Sequence, residues 1–165
     1  MFTLYNMGAG ILPISFKDGK IYFLFSREAG DKKFRDTGKW SDFGGSKEKN
    51  ETYEQTAIRE GWEESNGILG NKKAISNLLH NNLLDTITDR GYKVHIVYIN
   101  YNDVSPRQFR RDFLKMYNEH PEKIRKKGLY EKDMIKWFSY DELKKKIQDF
   151  RPWYRKFIYK IIDSY

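Results

Sequence analysis

At 165 residues with no cysteine, the chain is long enough for one domain with a substantial core, and it can form no disulfide framework, thiolate nucleophile or cysteine-ligated zinc site. Its net charge of +8 is uneven: residues 1–100 carry 14 Lys+Arg against 13 Asp+Glu, while residues 101–165 carry 17 against 10. No apolar run reaches the length of a membrane span, and MFTLYNMGAGILPIS lacks a basic segment followed by a sustained apolar stretch, so a soluble, intracellular protein is expected.

In chain order, Gly10 to Phe16 and Lys20 to Ser26 flank Lys17-Asp18-Gly19, a hairpin signal between runs rich in aromatic and branched residues. Glu28 to Lys39 reads as a polar loop, and Trp40 to Gly45 as a short strand ending in a Gly-Gly pair. A helix follows from about Thr52 to Ser65, with Tyr53, Ala57 and Gly61 on its sheet-facing side. Lys73 to Asn82 is a short helix. Leu83 to Asp89 and Tyr92 to Tyr101 are strands around Arg90-Gly91, the second alternating Val94, Ile96, Tyr98 and Asn100 against His95, Val97, Ile99 and Tyr101. His95 sits within that apolar alternation, and it, His80 and His120 read as structural residues. Ser105 and Pro106 open a helix as cap and first position, running to about Asn118 with Phe109, Phe113, Leu114 and Met116 or Tyr117 along one side. Pro121 to Gly128 is a basic connector, Met134 to Ser139 a strand, Asp141 to Gln148 a short helix and Pro152 to Tyr165 a closing helix. Strands, a mid-chain helix, further strands and late helices make an α+β domain, taken as one unit over residues 1–165.

The segment GSKEKNETYEQTAIREGWEESNG, from Gly45 to Gly67, carries the chemistry. Glu60, Glu63 and Glu64 stand at i, i+3 and i+4, so on a helix their carboxylates share one face. Like charges so placed repel one another, and a cation between them relieves the repulsion. Carboxylate oxygens suit hard ions such as Mg²⁺ or Mn²⁺. Arg59 directly precedes the cluster, and Glu51 lies eight residues before Arg59, near enough to pair with it.

Gly45, Glu51, Arg59, Glu60, Glu63 and Glu64 match the fixed positions of the Nudix box, G-x5-E-x7-R-E-U-x-E-E-x-G-U with U aliphatic, and the chain resembles the Nudix hydrolase family on these residues. Two positions depart: Gly61 replaces the aliphatic residue after Arg-Glu, and Asn66 stands where the family has Gly. Asn tolerates the left-handed conformation that ends a helix, so the turn is expected to survive. The stretch MIKWFSYDELKKK is similar to the family's late strand and helix, so the resemblance covers most of residues 8–150.

The resemblance implies an α/β/α sandwich around a mixed sheet, with the helix and basic connector at about 104–128 as an insertion before the last strand. It implies hydrolysis of a diphosphate linkage with a divalent metal, Mg²⁺ or Mn²⁺. Glu60, Glu63 and Glu64 would be metal ligands, joined by a backbone carbonyl from Gly44 or Gly45. Glu51 and Arg59 would orient the glutamates. The general base would be Glu63 or Glu64, or Glu131 in the loop before the late strand, with Asp133 as its competitor. Arg27 and Lys39 at strand and loop ends, with Gly44, are candidate phosphate contacts.

The box leaves the attached group open. The basic second half suits a polyanion, which puts capped messenger RNA first, ahead of diphosphoinositol polyphosphates, dinucleoside polyphosphates, damaged nucleoside triphosphates and sugar nucleotides. A Nudix fold that binds RNA or a nucleotide without catalysis is the alternative of another class, and loss of a box glutamate would mark it. None is missing.

Overall fold

Alternating apolar residues and two tight turns organise the sheet in the computed structural model, which describes residues 7–30 and 35–165. Strands β1 (Gly8–Lys17) and β2 (Lys20–Glu28) are joined through Asp18 and Gly19, and β5 (Leu83–Asp89) and β6 (Tyr92–Tyr98) through Arg90 and Gly91. All four turn residues have positive φ, at 52° and 74° in the first turn and 46° and 81° in the second. That is the backbone whose twist matches a two-residue hairpin. The segment expected as one strand is split at Asp42 into β3 (Trp40–Ser41) and β4 (Phe43–Ser46), because β3 pairs with β2 while β4 pairs with β1. The path β3-β2-β1-β6-β5 carries β7 (Lys132–Ser139) on β2, and the β1–β6 pair is parallel while the others are antiparallel. The sheet is therefore mixed, as expected.

Each strand's alternation feeds two helical layers. Leu12, Ile14, Val94 and Ile96 pack with Leu143 of α4 (Tyr140–Lys145) and with Phe157, Ile158 and Ile161 of α5 (Arg155–Ser164). Ala9, Ile11 and Val97 point the other way, against Ala57 of α1 (Tyr53–Glu64) and Ile75 and Leu79 of α2 (Lys72–Asn81). Phe109 of the inserted helix α3 (Pro106–Glu119) joins Leu24, Phe43, Ile135 and Trp137 in a third cluster. The result is an α/β/α sandwich with α3 inserted before the last strand.

Several boundaries move. The strand expected to reach Tyr101 ends at Tyr98, after which Ile99 N donates to Ile14 O and Tyr101–Asp103 turns tightly. The closing helix begins as a tight turn at Pro152–Tyr154 before becoming α-helical. Along α3, Phe109 and Phe113 are buried but Leu114 and Tyr117 are exposed, so the packed stripe is narrower than its apolar sequence. The expected loop from Glu28 to Lys39 lies partly outside the described residues.

Candidate active site

Helix α1 is fixed at both ends by its own sequence. Thr52 caps it by accepting from Gln55 N, and Gln55 Oε1 accepts from Thr52 N in return, a reciprocal capping box. At the other end Asn66 takes φ 51° and Gly67 φ 77°, with Gly67 N donating to Trp62 O and Asn66 N to Glu63 O. This is a Schellman stop with Asn in the left-handed position, so the departure at residue 66 keeps the turn. Asn66 adds a contact that Gly could not make, since its Oδ1 accepts from Tyr130 N at 2.9 Å.

Gly61 is explained by its neighbours. A Cβ there would meet Ile11 Cδ1 at 2.8 Å and Ile75 Cγ2 at 3.6 Å, so Ile11 fills the space of the family's aliphatic side chain. Gly45 serves the opposite edge of the helix, because a Cβ on it would strike the Glu60 carboxylate. The strand and the acid thereby meet at backbone distance.

Arg59 organises the carboxylates. Its Nε and Nη2 donate to Glu51 Oε1 and Oε2 at 2.6 and 3.1 Å, Nη1 donates to Glu60 Oε1 at 2.8 Å and Glu63 Oε2 at 3.2 Å, and Nη2 reaches Ser46 O at 2.9 Å. Glu51 also accepts from Thr56 Oγ1 and Glu48 N. These hydrogen bonds, Arg59's foremost, hold the Glu51 carboxyl down at about 2. Burial acts the other way on the cluster. It pushes Glu60 up to about 7 and Glu63 upward, against the opposing pull of Arg59.

Glu64 is the most enclosed of the three. Burial drives its carboxyl well above the usual range, and its Oε2 lies 3.5 Å from Lys132 Nζ without a hydrogen-bond partner. Lys132 is itself wholly buried at the start of β7, and its Nζ donates to Glu28 Oε2 at 2.9 Å and Ser41 Oγ at 3.3 Å. Burial opposes the ammonium, but Glu64 and Glu28 outweigh it and hold Lys132 protonated. The negative charge of Glu131 raises Glu60, Glu63 and Glu64 alike, which puts it within electrostatic reach of the whole cluster.

Glu51, Arg59, Glu60, Glu63 and Gly45 thus come together, with Glu64 beside Lys132 and the half-buried Glu131 immediately before β7. Arg27 and Lys39 do not join them: Arg27 donates to both carboxylate oxygens of Asp133, at 2.8 and 3.1 Å, and Lys39 Nζ donates to Gln148 O at 2.9 Å. Asp133 is accordingly committed to Arg27, with Arg110 Nη1 3.7 Å away. His95 is buried with Nδ1 3.1 Å from Gly10 O, a structural position. Of the basic connector, Arg125 turns inward to Glu28 Oε1 and Ala29 O, both at 2.9 Å, whereas Lys123, Lys126 and Lys127 are exposed.

Sequence reasoning missed Lys132, Glu28 and Asp42. Lys132 stands in YEKDMIKW, where an alternating strand hides a lysine among charged neighbours. Asp42 is buried under the Tyr92 hydroxyl, which donates to its Oδ1 at 2.9 Å, and burial pushes its carboxyl up to about 7.

Carboxylates along one face of α1, a buried Glu64 oxygen that accepts no hydrogen bond and the close approach of Gly45 to Glu60 suit a hard divalent cation. Among the described residues no three acid or histidine side chains already converge as a ready cage. Mg²⁺ does not require one, since it commonly takes one or two carboxylates and keeps several waters.

A mixed sheet between helical layers, with a glutamate-bearing helix seated on a glycine strand, defines an α/β/α sandwich. The NUDIX domain model matches residues 4–161, and the chain belongs to the Nudix family. Over 58 residues it is 45% identical to the uncharacterized protein L534 of Acanthamoeba polyphaga mimivirus, a match spanning 34% of this chain and only 18% of that protein. Among solved structures it is similar to the Ap4A hydrolase of C. elegans, at 19% identity, 86% coverage of each chain and a TM-score of 0.50. It is also similar to the MutT protein of Methanosarcina mazei Go1, at 18% identity, 94% and 91% coverage and a TM-score of 0.49.

Proposed function

We propose that the chain hydrolyses a diphosphate linkage in a nucleoside diphosphate joined to another group, with Mg²⁺ or Mn²⁺ held by Glu60, Glu63 and Glu64 and the Gly45 carbonyl. The observation that carries this reading is the placing of Glu60, Glu63 and Glu64 along one face of α1, with Arg59 bonded to the first two and Glu64 buried beside Lys132. A bound divalent ion would neutralise the diphosphate oxygens and lower the pKa of a bound water. The protein's own part is positional. Arg59, braced by Glu51 and Ser46 O, holds Glu60 and Glu63 in register, and Lys132 offsets the charge of Glu64.

A base for the attacking water must reach solvent. Glu63 and Glu131 are only partly buried, whereas Glu64 is enclosed, which favours ligation for Glu64 and proton transfer for Glu63 or Glu131. We further propose that residues 1–165 act as one domain inside the cell, in keeping with a chain without cysteine.

For the attached group, capped RNA is supported by the insertion. Lys123, Lys126 and Lys127 are exposed on a segment whose last residue, Gly128, lies so near Glu63 that an added Cβ would strike its carboxylate. The test is a panel of capped RNA, inositol pyrophosphates, dinucleoside polyphosphates and nucleoside diphosphate sugars with Mg²⁺, Mn²⁺, Ca²⁺ or chelator. Turnover with Mg²⁺ or Mn²⁺ that chelation abolishes is expected, with Ca²⁺ far less effective because it favours longer, looser coordination. Full activity in excess chelator would overturn the metal assignment.

A further inference from the structure

A cavity of about 380 Å³ adjoins the glutamate cluster across the Gly44–Gly45 backbone. Gly45, which gives way to the Glu60 carboxylate, lines this cavity too, together with Gly44, Ser46 and Tyr92. The volume lies within the ~300–1,000 Å³ usual for small-molecule sites. Its charged lining is Arg90, Arg151 and Lys156, with Trp153 beside them, and among the described residues no carboxylate lines it.

These cations arrive from two distant parts of the chain. Arg90 is set by the β5–β6 turn, in the left-handed conformation at φ 46°. Arg151 is braced by Asp36 at 2.9 Å through Nε, and its guanidinium lies 5.3 Å from the Trp153 ring centroid. Lys156 is held at 2.7 Å by Asp89, outside the cavity wall. Acids outside the lining thus hold two of the cations in place, with Glu28 also 3.6 Å from Arg151 Nη1, while the charged residues of the lining itself are all basic. Such a cleft concentrates anions, and a guanidinium fork matches phosphate oxygens.

We propose that this cavity receives a phosphorylated group of the substrate lying beyond the scissile diphosphate. Arg90, Arg151 and Lys156 then select substrates with a phosphate-bearing distal group over those whose distal group is neutral. The position relative to the broken bond rests on the hydrolase reading; the anion site does not.

The test uses Arg90→Asn with Lys156→Gln. Asn suits the left-handed turn, and loss of the Lys156–Asp89 pair is partly covered by Lys160, 3.6 Å from Asp89. Binding of inositol hexakisphosphate, followed by calorimetry in metal-free buffer, should weaken about tenfold or more in the double variant, with thermal melting confirming its fold. With Mg²⁺, the ratio of kcat/KM for diphosphoinositol pentakisphosphate over a nucleoside diphosphate glucose should fall about tenfold, through KM. Failure of wild-type protein to bind the hexakisphosphate, or equal binding by the variant, overturns the proposal. Hydrolysis of both substrates with an unchanged ratio also overturns it and leaves the hydrolase reading intact. Hydrolysis of neither, with the binding difference present, supports the anion site and removes the hydrolase reading.

Discussion

Gly61 of α1 and Ile11 of β1 share one packing site: a Cβ on the glycine would come within 2.8 Å of Ile11 Cδ1, and both residues are buried. The helix thereby gives up about 1 kcal/mol of propensity relative to Ala, and the isoleucine takes the space. Gly61→Leu alone should overpack this layer and lose about 1–3 kcal/mol in chemical denaturation. Ile11→Ala alone should lose about 2–5 kcal/mol by leaving a cavity. The double variant should lose clearly less than the sum, and strict additivity in the double-mutant cycle would disprove the shared site.

Glu63→Gln and Glu64→Gln should each cut turnover at least about a hundredfold, or roughly 2.7 kcal/mol of barrier. Each replacement is nearly isosteric but takes a charged oxygen from the proposed cation. Metal-free stability should hold or rise, because burial already disfavours the ionised form of both acids. Near-normal turnover of both variants with Mg²⁺ would sink the assignment of this helix face.

The metal-free protein should lose stability as pH rises from about 4 to about 7. Asp42 and Glu60 have folded-state values raised to about 7 from 3.8 and 4.5, chiefly by burial. Within that window the folded state binds more protons than the unfolded one, so the unfolding free energy falls as pH increases. The slope from these groups is at most about 1.4 kcal/mol per pH unit for each. Asp42→Asn, which carries no charge to bury, should flatten the slope and leave the protein more stable near neutrality. Denaturant midpoints from pH 4 to 8 measure this, and an identical slope in the variant would count against Asp42 as a source.

How far the fold and the site are legible in the sequence depends on how local each cause is. The box helix, its caps, the two hairpin turns and the alternation of β6 follow from short-range rules, and they lie within a few residues of expectation. The pairing of Arg59 with Glu51 is also foreseen, although not through helical spacing: Glu51 precedes the Thr52 cap, and the turn held by Glu48 N carries it to Arg59. Neighbours created by sheet order are not. Lys132 reaches Glu64 only because β7 pairs with β2 beside Glu28, and no sequence window contains those three residues. Arg125 reads as one more solvent-facing cation in KIRKKG, yet its guanidinium is an anchor for Glu28. Arg90, Arg151 and Lys156 converge only through the closing of α5 over the sheet, and along the sequence they are visible only as part of the overall basic balance.

That anchoring role of Arg125 decides how the insertion should be tested as a guide for RNA. Arg125 must stay, since removing it would leave Glu28 with one fewer partner inside a buried network. Lys123, Lys126 and Lys127 are exposed and can be neutralised to Gln together without disturbing the close approach of Gly128 to Glu63. If the segment tracks a phosphate backbone, binding of long capped RNA should weaken in the triple variant. Its dependence on salt should also become shallower, with the log–log slope falling by about 0.7 for each single-strand phosphate that the lysines no longer neutralise. A short cap analogue carries too few phosphates to reach these lysines, so its hydrolysis should change far less than binding of the long RNA. Affinity measured from low to moderate salt, beside hydrolysis of the analogue, separates the two effects. An unchanged slope would remove the insertion as an RNA guide, and the smaller polyphosphate substrates would then take precedence over capped RNA.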